Sequence, residues 1–196
     1  MRKFAFAAAL LAGTLATPAF AQEPANAGGF HVDAIVGYDR ANDGFSDQNG
    51  NGVLYGVGAG YDLRLGNAIL GIEGEAADSS SDECGTTGAI VGDEICVSAG
   101  RDLYAGLRIG AVVGNNTLLY AKAGYTNARV NVDYDDGTAA TGPDFSGHQN
   151  LDGMRVGAGA QFGLGPNTYV RTEYRYSNYQ DGFDRHQVVG GLGFRF

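Results

Sequence analysis

Three histidines, two cysteines and several acidic clusters are the residues of this chain that could do chemistry. Ser146-Gly147-His148 sets a hydroxyl two positions from an imidazole, the pairing a nucleophile and its base would need. It sits in the middle of a long polar stretch, and no H-x-S pair accompanies it. His186 falls at the long-loop rim near Ser177, and His31 stands alone. Asp47-x-Asn49-x-Asn51-Gly52 matches the first half of a calcium loop, but its twelfth position, which needs a bidentate Glu, is Gly58. Asp133, Asp135 and Asp136 before Gly137 read as a solvated hairpin tip with at most weak hold on a divalent ion. No pattern is complete. The expectation is therefore a protein that is not an enzyme and carries no cofactor or metal.

A larger set of charges is spaced by two, and that spacing belongs to β-strands. Asp33 and Asp39, Asp62 and Arg64, Glu73 and Glu75, Asp102 and Arg108, Lys122, Arg155, Arg171 with Glu173 and Arg175, and Arg195 all alternate with apolar residues. Eight segments show this: Phe30 to Asp39, Val53 to Arg64, Ile69 to Ala77, Asp102 to Val112, Leu119 to Thr126, Met154 to Phe162, Thr168 to Tyr179 and Val188 to Phe196. Each has one charge-and-glycine face and one apolar face. Alternation alone does not say which face meets solvent.

The connections and the aromatics decide it. Gly66-Asn67, Gly114-Asn115-Asn116 and Gly165-Pro166-Asn167 are tight turns. Between them lie longer polar stretches, Arg40 to Gly52, Asp78 to Arg101, Asp133 to Gly153 and Gln180 to His186. Short turns on one side and long loops on the other, strictly alternating, describe a membrane barrel. On the apolar faces, Phe30, Tyr61, Phe162, Phe194 and Phe196 fall near the short-turn end. Tyr38, Tyr55, Tyr125, Tyr174 and Tyr176 fall near the long-loop end. Two aromatic belts are expected where a barrel crosses two interfaces. The fold class expected is all-β, an eight-stranded antiparallel up-and-down transmembrane barrel. Its lipid face is apolar and its charges point inward.

The ends agree. Met1-Arg2-Lys3, an apolar run from Phe4 to Leu15 and Ala19-Phe20-Ala21 describe a signal peptide over residues 1–21, cut before Gln22, with the barrel over 22–196. Removing Arg2 and Lys3 leaves 11 basic against 22 acidic residues, a net charge of −11. With no basic patch, nucleic acid is not an expected partner. Behind a signal peptide, Cys84 and Cys96 meet an oxidising compartment, and a disulfide between them is the default.

The last strand, with Leu192, Phe194 and a terminal Phe196, resembles the closing strand of Gram-negative outer-membrane barrels. In those proteins this end is the signal read by the barrel assembly machinery. The whole expected mature chain resembles the eight-stranded OmpA/OmpX-like superfamily, in particular the "porin family" outer-membrane proteins of alphaproteobacteria. The resemblance implies a monomer in the outer membrane of a Gram-negative bacterium, contacting lipid and lipopolysaccharide. It implies a surface or structural role, in envelope integrity or in adhesion through acidic loops; the alternative is a narrow channel for small solutes. The inward charges balance, seven acids against seven bases counting Arg64. Eight strands leave a lumen that side chains can fill, so the expectation is a plug. Its expected network is Asp33, Asp62, Glu73, Glu75, Arg108, Lys122, Arg155, Arg171, Glu173, Arg175 and Arg195.

Overall fold

The computed structural model describes residues 28–42, 49–80, 82–85, 94–135, 145–180 and 184–196. The expected signal peptide and Asp47 of the calcium-loop pattern lie outside them. Among the described residues nine strands run in chain order: β1 (Gly29–Asn42), β2 (Asn49–Leu65), β3 (Ala68–Ser79), β4 (Asp82–Gly85), β5 (Glu94–Val113), β6 (Thr117–Asp135), β7 (Phe145–Gly163), β8 (Thr168–Tyr179) and β9 (Asp184–Arg195). Eight of them close one antiparallel barrel. β9 pairs back onto β1, and β3 pairs directly with β5. β4 is a short flap paired only to the upper part of β5.

Each eight-strand wall element reaches the roughly 9–11 residues that a tilted strand needs to cross a bilayer. Closure satisfies every edge, which hydrocarbon requires. The seam is finished by the chain end: the Phe196 N–H donates to the Phe30 carbonyl at 2.8 Å. Gly29 makes this possible, since its φ is +110° and a Cβ there would come within 2.5 Å of the Phe196 carbonyl oxygen. Gly66 and Gly114 supply the left-handed positions of two tight turns, at φ of 68° and 67°.

The alternation is inverted relative to a soluble barrel. Val57, Ile72 and Leu107 are about 60% exposed, whereas Arg108 and Arg175 are fully buried. An apolar outside around a charged inside is stable only in lipid. Phe30, Phe194 and Phe196 cluster at the short-turn end, with ring centroids 5.8 and 5.0 Å apart.

Two expectations need correction. Stretches read as loops are largely strand: β5 begins at Glu94, β6 runs to Asp135 and β7 begins at Phe145. Above the bilayer both strand faces meet water, so apolar alternation fades although the backbone ladder continues. β5, β6 and β7 thus form a tall wall above the outer tyrosines, while β3 and β8 stop near them. Arg64 also changes place. It is exposed at the turn and its Nε donates to the Gly66 carbonyl at 3.0 Å. Arg185, read as a loop residue, is buried in the lumen.

Candidate functional site

The barrel wall aims seven acidic and seven basic side chains into the lumen among the described residues, because they occupy the alternate positions opposite the lipid face. Arg185 replaces Arg64 in the count, so the balance survives. The fourteen form two groups joined by no ion pair among the described residues.

The inner group holds Asp33, Asp62, Glu73, Glu75, Glu173, Arg108, Lys122, Arg171, Arg175 and Arg195. Lys122 from β6 is its hub, with Nζ 2.8 Å from Glu73, 3.1 Å from Glu75 and 2.8 Å from Glu173. Arg171 reaches Glu75 at 2.8 Å, Asp33 at 3.4 Å and Glu173 at 3.5 Å. Arg175 bridges Glu75, at 2.8 Å, and Glu173. Toward the short-turn end, Asp62 gathers Arg195 at 3.0 Å, Arg108 at 3.2 Å and His31 at 3.6 Å. Arg108 also lies 3.7 Å from Glu73 and donates to Gln161 at 3.0 Å.

Tyrosines complete the group. Tyr120 donates to Glu173 at 2.6 Å and Tyr169 donates to Asp33. Their rings lie flat because the facing positions are glycine: a Cβ on Gly193 would strike the Tyr169 ring at 2.2 Å, and one on Gly159 would meet the Tyr120 hydroxyl at 2.8 Å. The inward glycines are therefore seats for rings, a role that reading them only as room for long charged chains misses.

The outer group is a quartet. Arg155 reaches Asp102 at 2.6 Å, and Arg185 bridges Asp39 and Asp102, the latter at 3.4 Å. Hydroxyls finish it: Ser79 donates to Asp39 at 3.0 Å, Thr126 to Asp102 at 3.1 Å, and Arg155 donates to Ser177 at 2.8 Å. Buried ions need this degree of pairing, since an uncompensated one costs several kcal/mol.

At the outer rim the belt tyrosines are tied to polar residues of the same wall. Tyr38 donates to Asn51 at 2.7 Å, Tyr125 donates to Asp152, and the Tyr174 hydroxyl lies 2.6 Å from Nδ1 of His186. Asp184 stands 3.2 Å from Nε2 of the same ring. Ser177 faces the lumen on Arg155, so it does not pair with His186. His148 is exposed on β7, and the side chains of Ser146, Asp133 and Asp135 lie outside the described residues. Asn51 of the calcium-loop pattern is engaged by Tyr38. Cys84 is directly opposite Cys96 in the β4–β5 register, with their side chains outside the described residues.

A closed barrel with an apolar belt-edged outside and a neutral, packed lumen defines an integral outer-membrane β-barrel protein. The family model for the outer membrane protein beta-barrel domain matches residues 7–196, and the chain belongs to that family. Among solved structures it resembles Ail, the attachment invasion locus protein of Yersinia pestis, crystallised with the heparin analogue sucrose octasulfate. Identity is 18%, over 86% of this chain and 99% of that one, with a TM-score of 0.57. It also resembles Neisserial surface protein A, at 16% identity over 85% and 97% of the two chains and a TM-score of 0.58. At such identity the likeness is one of fold. No curated protein sequence matches the chain.

Proposed function

We propose that this protein is a closed outer-membrane barrel of surface or structural function, whose work is done by the wall that β5, β6 and β7 raise above the bilayer. The carrying observation is the lumen. Its seven acids and seven bases are at most 7% exposed, which leaves no open path for solute. Ion pairs, tyrosines and two apolar clusters share the lumen. On this reading the protein is exported in a Gram-negative bacterium, its leader cut before Gln22, meets lipid and lipopolysaccharide outside and is resident as a monomer. Leu192, Phe194 and Phe196 at the seam fit the role of the end read by the assembly machinery. The reading is non-enzymatic: among the described residues, the imidazole at the rim is held by Asp184 and Tyr174, with no serine or cysteine against it.

Planar-bilayer recording of the refolded wild-type chain tests the closed lumen. Silence supports it, and steady openings favour the narrow solute channel instead. Trimming β6 and β7 above the tyrosine belt tests the surface role. The barrel should stay heat-modifiable on gels while attachment or envelope integrity of the host cell falls; a phenotype indifferent to the wall counts against it.

A further inference from the structure

The two lumen groups are each neutral by themselves, five acids with five bases inside and two with two outside. Between them lies apolar matter. Ile35 on β1, Leu54 on β2, Ala77 on β3 and Val189 on β9 form one buried cluster. Along their strands these residues lie between the inner carboxylates Asp33 and Glu75 and the outer partners Asp39 and Ser79. Beside this ledge, on β5, the strand that pairs with β3, the Tyr104 ring lies at the junction. Its centroid is 4.5 Å from Lys122 of the inner group and 5.5 Å from Arg155 of the outer one.

The wall is built to let these groups lean across. A Cβ on Gly106 would strike the Tyr104 hydroxyl at 2.1 Å, one on Gly56 would meet the Ala77 Cβ at 2.7 Å, and one on Gly37 would meet Val189 at 3.0 Å. Gln187, the polar side chain of β9 beside the ledge, is fully buried and makes no hydrogen bond to either group among the described residues.

We propose that this layer is an apolar diaphragm and that it, rather than the ion pairs, is the barrier to ion passage; the proposal rests on the closed-barrel reading. An ion could exchange partners along either charged group, since fixed countercharges there replace its hydration shell. At the ledge it would meet apolar side chains in place of countercharge, and a hydrophobic constriction of that kind stops conduction.

The test compares the full refolded chain in planar bilayers with two variants. Leu54→Ser combined with Tyr104→Ala removes the diaphragm and leaves every lumen charge in place. Asp39→Asn combined with Arg185→Gln removes an outer ion pair and leaves the diaphragm and the net charge. The expected result is silence for wild type and the outer-pair variant, and steady openings for the diaphragm variant, all three remaining heat-modifiable. Where that variant does not refold, Leu54→Ala with Val189→Ala, which removes only apolar volume, is read the same way. A silent wild type with a silent but folded diaphragm variant overturns the diaphragm alone. So does an outer-pair variant that opens as readily. A conducting wild type overturns the closed-barrel reading and the diaphragm with it.

Discussion

The inner and outer charge groups share one lumen and one degree of burial, yet they are wired differently. In the outer quartet no buried side-chain atom lacks a hydrogen bond among the described residues. In the inner group Asp62 attracts three basic side chains at 3.0–3.6 Å and accepts no aligned hydrogen bond from them. The inner group compensates by sharing: Lys122 serves three carboxylates and Glu75 serves three cations. Directed bonds make a group specific, whereas sharing spreads one charge over many partners. Inversions should therefore cost most within the shared group, and the better reversal partner should be the one that serves fewer other carboxylates.

Inverting a carboxylate held by the inner hub has the largest expected effect. Glu73→Lys puts a cation 2.8 Å from Lys122 and 3.7 Å from Arg108. Breaking a buried pair costs about 3–5 kcal/mol, and creating a like-charge contact should reach the top of that range. Adding Arg108→Glu should restore more of the loss than adding Lys122→Glu, because reversing Lys122 also sets a new carboxylate against Glu75 and Glu173, whereas reversing Arg108 meets only Asp62. Urea unfolding of the refolded chains in lipid vesicles measures both cycles; equal rescue by the two would contradict the hub.

The outer group sets the next size of effect. Arg185→Leu leaves Asp39 with the Ser79 hydroxyl as its remaining side-chain partner among the described residues, and a loss of about 3 kcal/mol is expected. Arg64→Leu, at the exposed turn, should lie within about 0.5 kcal/mol of wild type. The pair separates lumen from rim in one unfolding series. Similar costs for the two would return Arg64 to the interior.

That exchange of Arg64 for Arg185 marks how far the sequence carries. Strand membership, turn positions, the apolar face and all ten belt aromatics follow from a period of two and the glycine turns. The same alternation put Arg64 inward, because nothing in it shows where the strand flares into the turn. Arg185 was hidden by its neighbours: Asp184, Arg185 and His186 read as a polar loop, although continuing the alternation backwards from Val189 would have set Arg185 on the lumen face. The tall wall was missed for a related reason, since a strand with water on both sides has no apolar signature. The seating of Tyr120 and Tyr169 over glycines of neighbouring strands depends on register, which turn lengths and patterns constrain but single segments do not display, whereas Tyr104 sits over Gly106 of its own strand.

Above the bilayer, the β4–β5 flap offers a contrast to the lumen. A disulfide joining Cys84 to Cys96 across that register would close a short loop and contribute at most about 3 kcal/mol by chain entropy. In a flap outside the barrel the effect should be local. Reduction is expected to speed proteolysis within residues 82–98 and leave the heat-modifiable barrel intact. Loss of the barrel on reduction would tie the flap to the core.

The smallest effect concerns the outer belt, where a phenol rather than a cation accompanies a carboxylate. Asp152 stands one row above Tyr125, and its carboxyl is held below the usual carboxylate range by the Tyr125 hydroxyl first and the Asn127 amide second. A depressed folded-state value stabilises the fold above the unfolded value of about 3.9, and that contribution is lost as pH falls through the folded value. At neutral pH the contribution is fully present, so belt chemistry should be indifferent to mild acidification. Tyr125→Phe removes the larger cause and keeps the ring, its lipid contact and Asn127. Side-chain carboxyl titration by NMR in nanodiscs should then show the Asp152 midpoint moving up toward the ordinary value, with the lumen carboxylates unmoved. An unchanged midpoint would mean that Asn127 alone sets the carboxyl, and that the tyrosine hydroxyls of this belt answer to lipid headgroups instead of to the wall above them.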